Sequence, residues 1–179
     1  GAHPERYGAV VLAVPAPQAA PLLAPVSPAG AAVAASAPMR GSWAVMLRYA
    51  APLAMPWEGV FINTGPLRWV ARDSSKPGRT GPETWLLHAS PEWSDAHMED
   101  DADAVTAALI AAFVALGGPA PLAATAHRWR YADTELALTK GSWWDASLRL
   151  GMCGDWLNGG KVEGAWLSGR ALAQQVQAA

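Results

Sequence analysis

A chain of 179 residues has room for one sizeable domain or two small ones. It is 51% apolar, and its net charge is −2 from 13 basic and 15 acidic side chains, so it can form a packed core but offers no broad basic surface for nucleic acid. Cys153 is the only cysteine, which excludes an internal disulfide and fits a reducing, cytoplasmic compartment.

The run YGAVVLAVP (Tyr7–Pro15) is apolar, rich in valine and closed by proline. It predicts a strand buried on both faces, as in a parallel sheet, and is too short to span a bilayer. No basic segment followed by a long apolar core precedes it, so neither a leader nor a membrane partner is expected. Ala16–Pro38 carries too many prolines for one long helix. A short helix near Gln18–Leu23 and then an irregular crossover are expected there. Strands are predicted in Gly41–Ala50, Trp57–Thr64 and Glu83–Ala89. Between the last two, Gly65–Arg79 opens on a turn and ends on Pro-Gly. Ser90–Met98 reads as a capped helix, with Ser90 as N-cap and Pro91 at the first position. Asp101–Gly118 is the clearest helix, with Val105, Leu109, Ala112, Phe113 and Leu116 on one face, acids at its start and two glycines at its end. Pro121–Asp133 and Ser147–Trp156 are further strands, and Val162–Gln177 is a terminal helix.

Among candidate sites, His3, His88, His97, His127 and Cys153 are scattered without the spacing of a metal site, so no metal is expected. Ser94, Asp95 and His97 are neighbours in sequence, an arrangement unlike a nucleophilic triad, and no G-x-S-x-G elbow is present. His127, Trp129 and Tyr131 share one face of a strand, and Arg128 and Arg130 the other. This is either a half-buried strand with arginine stems lying along it, or a substrate wall. Trp69, Arg72, Lys76 and Arg79 raise the same choice between a surface loop and a cationic grip on an anionic substrate.

The most informative stretch is GMCGDWLNGGKVEGAWLSGRALAQ (Gly151–Gln174). A strand ends at Gly154-Asp155, where glycine allows close backbone approach and a carboxylate can accept hydrogen bonds from hydroxyls. Asn158-Gly159-Gly160 form a tight loop. The helix then starts near Val162–Gly164, with free N–H groups and a positive dipole end. Gly164 with Ser168, and Ala165 with Gly169, put small residues four apart. Taken singly, these features are also those of an ordinary turn and of plain helix packing.

Together with AVVLAVPAPQAAPLL, LRWVARDSSKPGR, ASPEWSDAHMEDDADAV and AHRWRYA, this stretch resembles the flavin-containing amine oxidase superfamily. The nearer match is its renalase-like branch, small bacterial NAD/FAD-dependent oxidoreductases, and the resemblance covers essentially the whole chain. It implies a mixed α+β and α/β fold. Partial, Rossmann-like FAD-binding elements at 1–38 and 151–179 would flank a mainly antiparallel substrate domain at 39–150. It further implies that Asp155 contacts the ribityl–pyrophosphate part of FAD, that Val162, Glu163, Gly164 and Ala165 lie beside the flavin ring, and that Val14, Pro15 and Gly154 belong to the cofactor site. Trp69, Arg72, Lys76, Trp129, Arg130 and Tyr131 become the substrate-facing candidates.

The family's opening G-x-G-x-x-G segment has no counterpart here. This chain is therefore expected to be part of a flavin oxidoreductase that passes a hydride from a dihydronicotinamide or an amine to flavin, with oxygen as possible acceptor. Its partners would be a missing N-terminal FAD-binding half and a small-molecule substrate. Alone, it is expected to bind FAD weakly or not at all. The face formed by Gly164, Ala165, Ser168, Gly169 and Leu172 is expected to be exposed, for the missing half or a dimer to cover. A non-catalytic stand-alone domain, or one piece of a split flavoprotein used in assembly, is the alternative.

Overall fold

A computed structural model describes residues 7–179; His3 lies outside them. The described chain divides into two compact units, 7–39 with 133–179, and 40–132. The second crossing falls well before the boundary at 150 suggested by the sequence, because residues 133–149 carry a strand that pairs with the closing strand.

In the 40–132 unit, five strands form one sheet: β2 (Met39–Tyr49), β3 (Gly59–Phe61), β4 (Leu67–Arg72), β5 (Glu83–Ala89) and β6 (Ala123–Thr134). Their order is β3-β4-β5-β2-β6, with β3–β4, β4–β5 and β5–β2 antiparallel. Alternation decides the faces. Trp43, Val45, Leu47 and Tyr49 from β2 and Trp85, Leu87 and Ala89 from β5 point to one side, where they are buried with Leu67 and Val70. Helix α4 (Ala102–Ala115) seals this side with Val105, Leu109 and Phe113. Trp57, Trp85 and Phe113 form an aromatic cluster with ring centroids 5.3–6.5 Å apart. The helix starts are locally encoded. Asp101 Oδ1 accepts the Asp103 N–H (2.9 Å), and in α3 (Pro91–Ala96) Ser90 Oγ accepts the Trp93 N–H (3.2 Å).

The other unit has a three-stranded sheet in the order β1-β8-β7. Here β1 (Val10–Leu12) runs parallel to β8 (Leu150–Met152), and β7 (Trp143–Asp145) runs antiparallel to β8. Helices α1 (Ala16–Leu23) and α2 (Pro28–Ala35) pack their alanines and Leu23 against Met152, Trp156 and Leu157. The segment read as an irregular crossover thus contains a second helix, capped by Ser27, whose Oγ accepts the Gly30 N–H at 3.2 Å. β1 is not buried on both faces: Val10 and Val11 are each 46% exposed. The last helix, α5 (Val162–Gln177), completes the unit. No helix among the described residues is long and apolar enough to cross a membrane. The fold is α+β.

Burial should set the mutational cost in the larger sheet. Phe113→Ala is expected to destabilise by about 3–5 kcal/mol. Phe61→Ala, which removes an exposed ring packed on Trp69, should cost under about 1.5 kcal/mol. Urea unfolding with unchanged slope measures both.

Candidate functional site

The closing strand–turn–helix is held by its own backbone. The Cys153 N–H donates to the Leu12 carbonyl (3.2 Å), and the chain then enters a 3-10 turn at Asp155–Leu157. The Gly154 N–H donates to Ser168 Oγ in α5 (3.0 Å), and a Cβ on Gly154 would lie 2.7 Å from Trp156 Nε1. Gly159 and Gly160 take left-handed φ of 83° and 71°, and the Gly160 N–H reaches the Asp155 carbonyl (2.8 Å). This loop lies against the first turn of α5. A Cβ on Gly164 would sit 2.1 Å from the Asn158 carbonyl oxygen, so only glycine fits.

No side chain caps α5, and its first hydrogen bond runs from the Ala165 N–H to the Lys161 carbonyl (2.9 Å). The Val162, Glu163 and Gly164 N–H groups therefore have no acceptor among the described residues, and Val162 is 91% exposed. The carboxylate of Asp155 likewise makes no hydrogen bond or ion pair with a described residue. Partnerless donors at the positive end of a helix, with an unengaged carboxylate at the preceding strand end, suit a ligand that is electron-rich at one point and carries hydroxyls at another.

Val14 and Pro15 use their carbonyls internally: Val14 accepts from Trp156 Nε1 (3.1 Å), and Pro15 accepts the Gln18 and Ala19 N–H groups at the start of α1. Gly154 makes room for Trp156 of its own chain. The small face of α5 is not exposed as expected. Gly164, Ser168 and Leu172 are buried in their own unit, where Ser168 and Gly164 meet the strand end and the loop, and Ala165 and Gly169 are half-buried. The apolar residues that α5 does present are Val162, Trp166 and Leu167, with the Arg170 guanidinium over the Trp166 ring.

In the 40–132 unit, the sheet face opposite α4 carries a cavity of about 820 Å³. Its floor comes from alternate residues of three strands: Ala44 and Met46, Thr84, Leu86 and His88, and Thr125, His127 and Trp129. One rim comes from Asp73, Ser74 and Arg79–Pro82. His88 lies in register between Ala44 and Trp69. Burial, reinforced by nearby Lys76 and Arg68, pushes its pKa below the ordinary histidine value, so the ring is neutral at pH 7 and can both donate and accept. The rings of His127 and Trp129 meet edge to face at 4.3 Å.

Glu83, 6% exposed, fixes the rim. Its Oε2 accepts from Ser74 Oγ (2.8 Å) and Arg72 Nη2 (3.0 Å), and its Oε1 from Trp85 Nε1 (2.8 Å) and the Leu53 N–H (3.3 Å). Burial alone would raise this carboxyl's pKa; the bonds from Ser74, Trp85, Arg72 and Leu53 bring it below the ordinary value. In the turn so held, Asp73 grips Lys76 through Oδ1 (2.7 Å) and Arg79 through Oδ2 (2.6 Å).

Of the six substrate-facing candidates, Trp129 lines the cavity. Trp69 shares its sheet face but packs on Phe61 outside the lining. Arg72 is committed to Glu83, and Lys76 to Asp73. Arg130 belongs to the opposite side of β6, where both of its terminal nitrogens bond Glu99 (2.5 and 2.9 Å) beside Arg128, which also covers Trp43. Tyr131 lies beyond the lining. Ser94, Asp95 and His97 serve separate partners: the Trp43 N–H, Arg40 and Asp100. No group of three metal-ligating side chains occurs among the described residues. The residues that sequence reasoning missed are His88, Met46, Ser74 and Asp73. The alternation of β5 already set Thr84, Leu86 and His88 on one face, and that was the available signal.

No family model matches the sequence. The fold resembles that of a protein assigned as a protoporphyrinogen oxidase from Exiguobacterium sp. 255-15 (TM-score 0.73, 10% identity, covering 96% of this chain and 41% of that one). It also resembles cyclohexylamine oxidase from Brevibacterium oxydans IH-35A (TM-score 0.61, 16% identity, 93% and 42% covered). A third similar structure is a reduced UDP-galactopyranose mutase (TM-score 0.63, 11% identity, 97% and 42% covered). At these identities the likeness is one of fold. The chain spans about two fifths of the length of the structures it matches.

Glu83→Gln should destabilise the protein by about 3 kcal/mol at neutral pH, since it leaves Arg72 without its buried counter-charge. The folded-state pKa of Glu83 is depressed, so its contribution is present above the ordinary carboxylate range and fades as pH falls through the folded value. Urea unfolding of wild type and variant should therefore converge in acid. Arg130→Ala, which breaks an exposed pair with Glu99, should cost no more than about 1 kcal/mol by the same measurement.

Proposed function

We propose that this chain is part of a FAD-dependent oxidoreductase of the amine-oxidase type. In this reading the 133–179 segment supplies the closing strand–turn–helix of the cofactor site, and the open face of the larger sheet supplies the substrate pocket. The observation that carries the reading is the uncapped start of α5, with three partnerless amides, following an Asp155 carboxylate that no described residue engages. The fold likeness to two oxidases and a reduced mutase supports it, as does the resemblance of the closing segment to the renalase-like branch.

The residues present fit FAD at the points they supply. The amides of Val162, Glu163 and Gly164 would face an electron-rich edge of the ring, and Asp155 would accept hydrogen bonds from ribityl hydroxyls. Bound flavin would supply the hydride acceptor for a dihydronicotinamide or an amine, with oxygen one candidate for the final acceptor. The protein's own work is positional. The α5 dipole favours negative charge at its N-terminus. Gly164 lets the loop at Asn158 come within contact of the first turn and so fixes the direction of those amides. Trp129 and His127 provide a ring edge for the substrate, and neutral His88 a hydrogen bond that needs no change of charge.

Because the chain spans only two fifths of its structural neighbours, it should bind FAD weakly by itself. Calorimetric titration is expected to give a dissociation constant of about 10–100 μM, with Asp155→Ala raising it roughly tenfold or more. Sub-micromolar affinity would contradict the reading of the chain as one part of the cofactor site, and an Asp155 variant with unaltered affinity would contradict the Asp155 contact.

A further inference from the structure

We propose that the cavity on the open sheet face takes a planar ring bearing a carboxylate or phosphate rather than a protonated amine, and that Arg79 reads this charge, with Asp73 as the anion that competes for it. The inference rests on the reading of this cavity as the substrate pocket and names the class of substrate it admits.

Among the described residues, Asp73 is the only carboxylate in the lining, and each of its oxygens already has a cationic partner, Lys76 on one and Arg79 on the other. Glu83, the next carboxylate in the segment, is buried and saturated by Arg72, Ser74, Trp85 and Leu53. An ammonium group entering here meets no unengaged carboxylate in the lining. In the lining Asp73 and Arg79 balance, and Lys76, on the same turn but outside the lining, adds one positive charge.

The field reaches the floor, since Lys76 and Arg68 add to burial in disfavouring protonation of His88. An incoming cation would feel the same repulsion.

The cations, by contrast, have capacity to spare. Arg79 gives one terminal nitrogen to Asp73, and its side chain is half exposed, as is that of Lys76. The remaining guanidinium N–H groups form a fork suited to a second oxyanion. The turn that aims this fork is fixed from beneath by Ser74 Oγ on Glu83. The rest of the lining sets Thr84, Thr125, His88 and His127 among the apolar surfaces of Ala44, Met46, Leu86 and the Trp129 ring. A planar ring fits against these surfaces with its anionic group at the Arg79 rim.

Three isosteric probes test this on the full chain by calorimetry: 2-naphthoate, 2-naphthylmethanol and 2-naphthylmethylamine. Naphthoate is expected to bind about tenfold or more tightly than the amine, with the alcohol between them. Arg79→Ala should weaken naphthoate about fivefold or more and leave the alcohol unchanged. Asp73→Asn removes the competing anion and should tighten naphthoate about threefold or more, an increase that loss of structure does not produce. Trp129→Ala should weaken all three probes together, locating them in the cavity.

The proposal is overturned if the amine binds as well as the carboxylate, if Asp73→Asn weakens or leaves unchanged the binding of naphthoate, if the Arg79 or Trp129 variants bind like wild type, or if no probe binds at millimolar concentration. A parallel FAD titration separates the two readings. Charge selectivity alongside FAD affinity that Asp155→Ala leaves unaltered would sink the cofactor reading alone, and FAD binding without charge selectivity would sink this one.

Discussion

The larger sheet depends on a single buried charge. A carboxylate at the first position of β5 would be costly unless every lone pair were met, and Glu83 meets that condition with donors from four places in the chain. Arg72 comes from the end of β4, Ser74 from the turn after it, Trp85 from the same strand and Leu53 from the segment between β2 and β3. The charge thus ties two strands and two connections to one point beside the Trp57–Trp85–Phe113 cluster. The turn it fixes is the rim of the cavity on the other face. A residue that faces the core therefore decides where Asp73 and Arg79 stand.

The smaller unit is organised by close approach. Gly164 admits the Asn158 carbonyl, and Ser168 accepts the Gly154 N–H, so strand end, loop and helix form one piece. Among the described residues of this unit, Thr134 Oγ1 and Trp144 Nε1 are buried without a partner, and the N–H groups at the start of α5 and the Asp155 carboxylate are likewise unengaged. That residue pair of needs, donors beside an acceptor, is the reason for reading this end as a cofactor contact. The packing also explains why the small residues of α5 face inward, although their spacing would equally have served an external partner.

Much of the fold was legible. Glu83–Ala89 alternates from end to end and forms a strand with those bounds; Ser90 and Asp101 cap the helices that follow them. α2 was not legible because an alanine-rich stretch after proline has no hydrophobic period, and its start depends on one serine cap. β7 was missed because three residues are too few to show a pattern. The valines of β1 looked fully buried from composition, yet pairing with β8 leaves them half exposed. For the site, alternation in β6 separated His127 and Trp129 from Arg128 and Arg130 but gave no means of saying which face was open. That required Glu99, about thirty residues away, to claim both arginines. The bond from Arg72 to Glu83 was hidden for the same reason, since that partner lies in the next strand.

The central claim is that the start of α5 and Asp155 touch FAD, and amide-resolved NMR tests it most directly. In a titration of the isotopically labelled chain with FAD, the account predicts that shift changes concentrate at Asp155 and at the Val162, Glu163, Gly164 and Ala165 amides. Changes scattered over the surface, or confined to other segments while these five stay fixed, would contradict it.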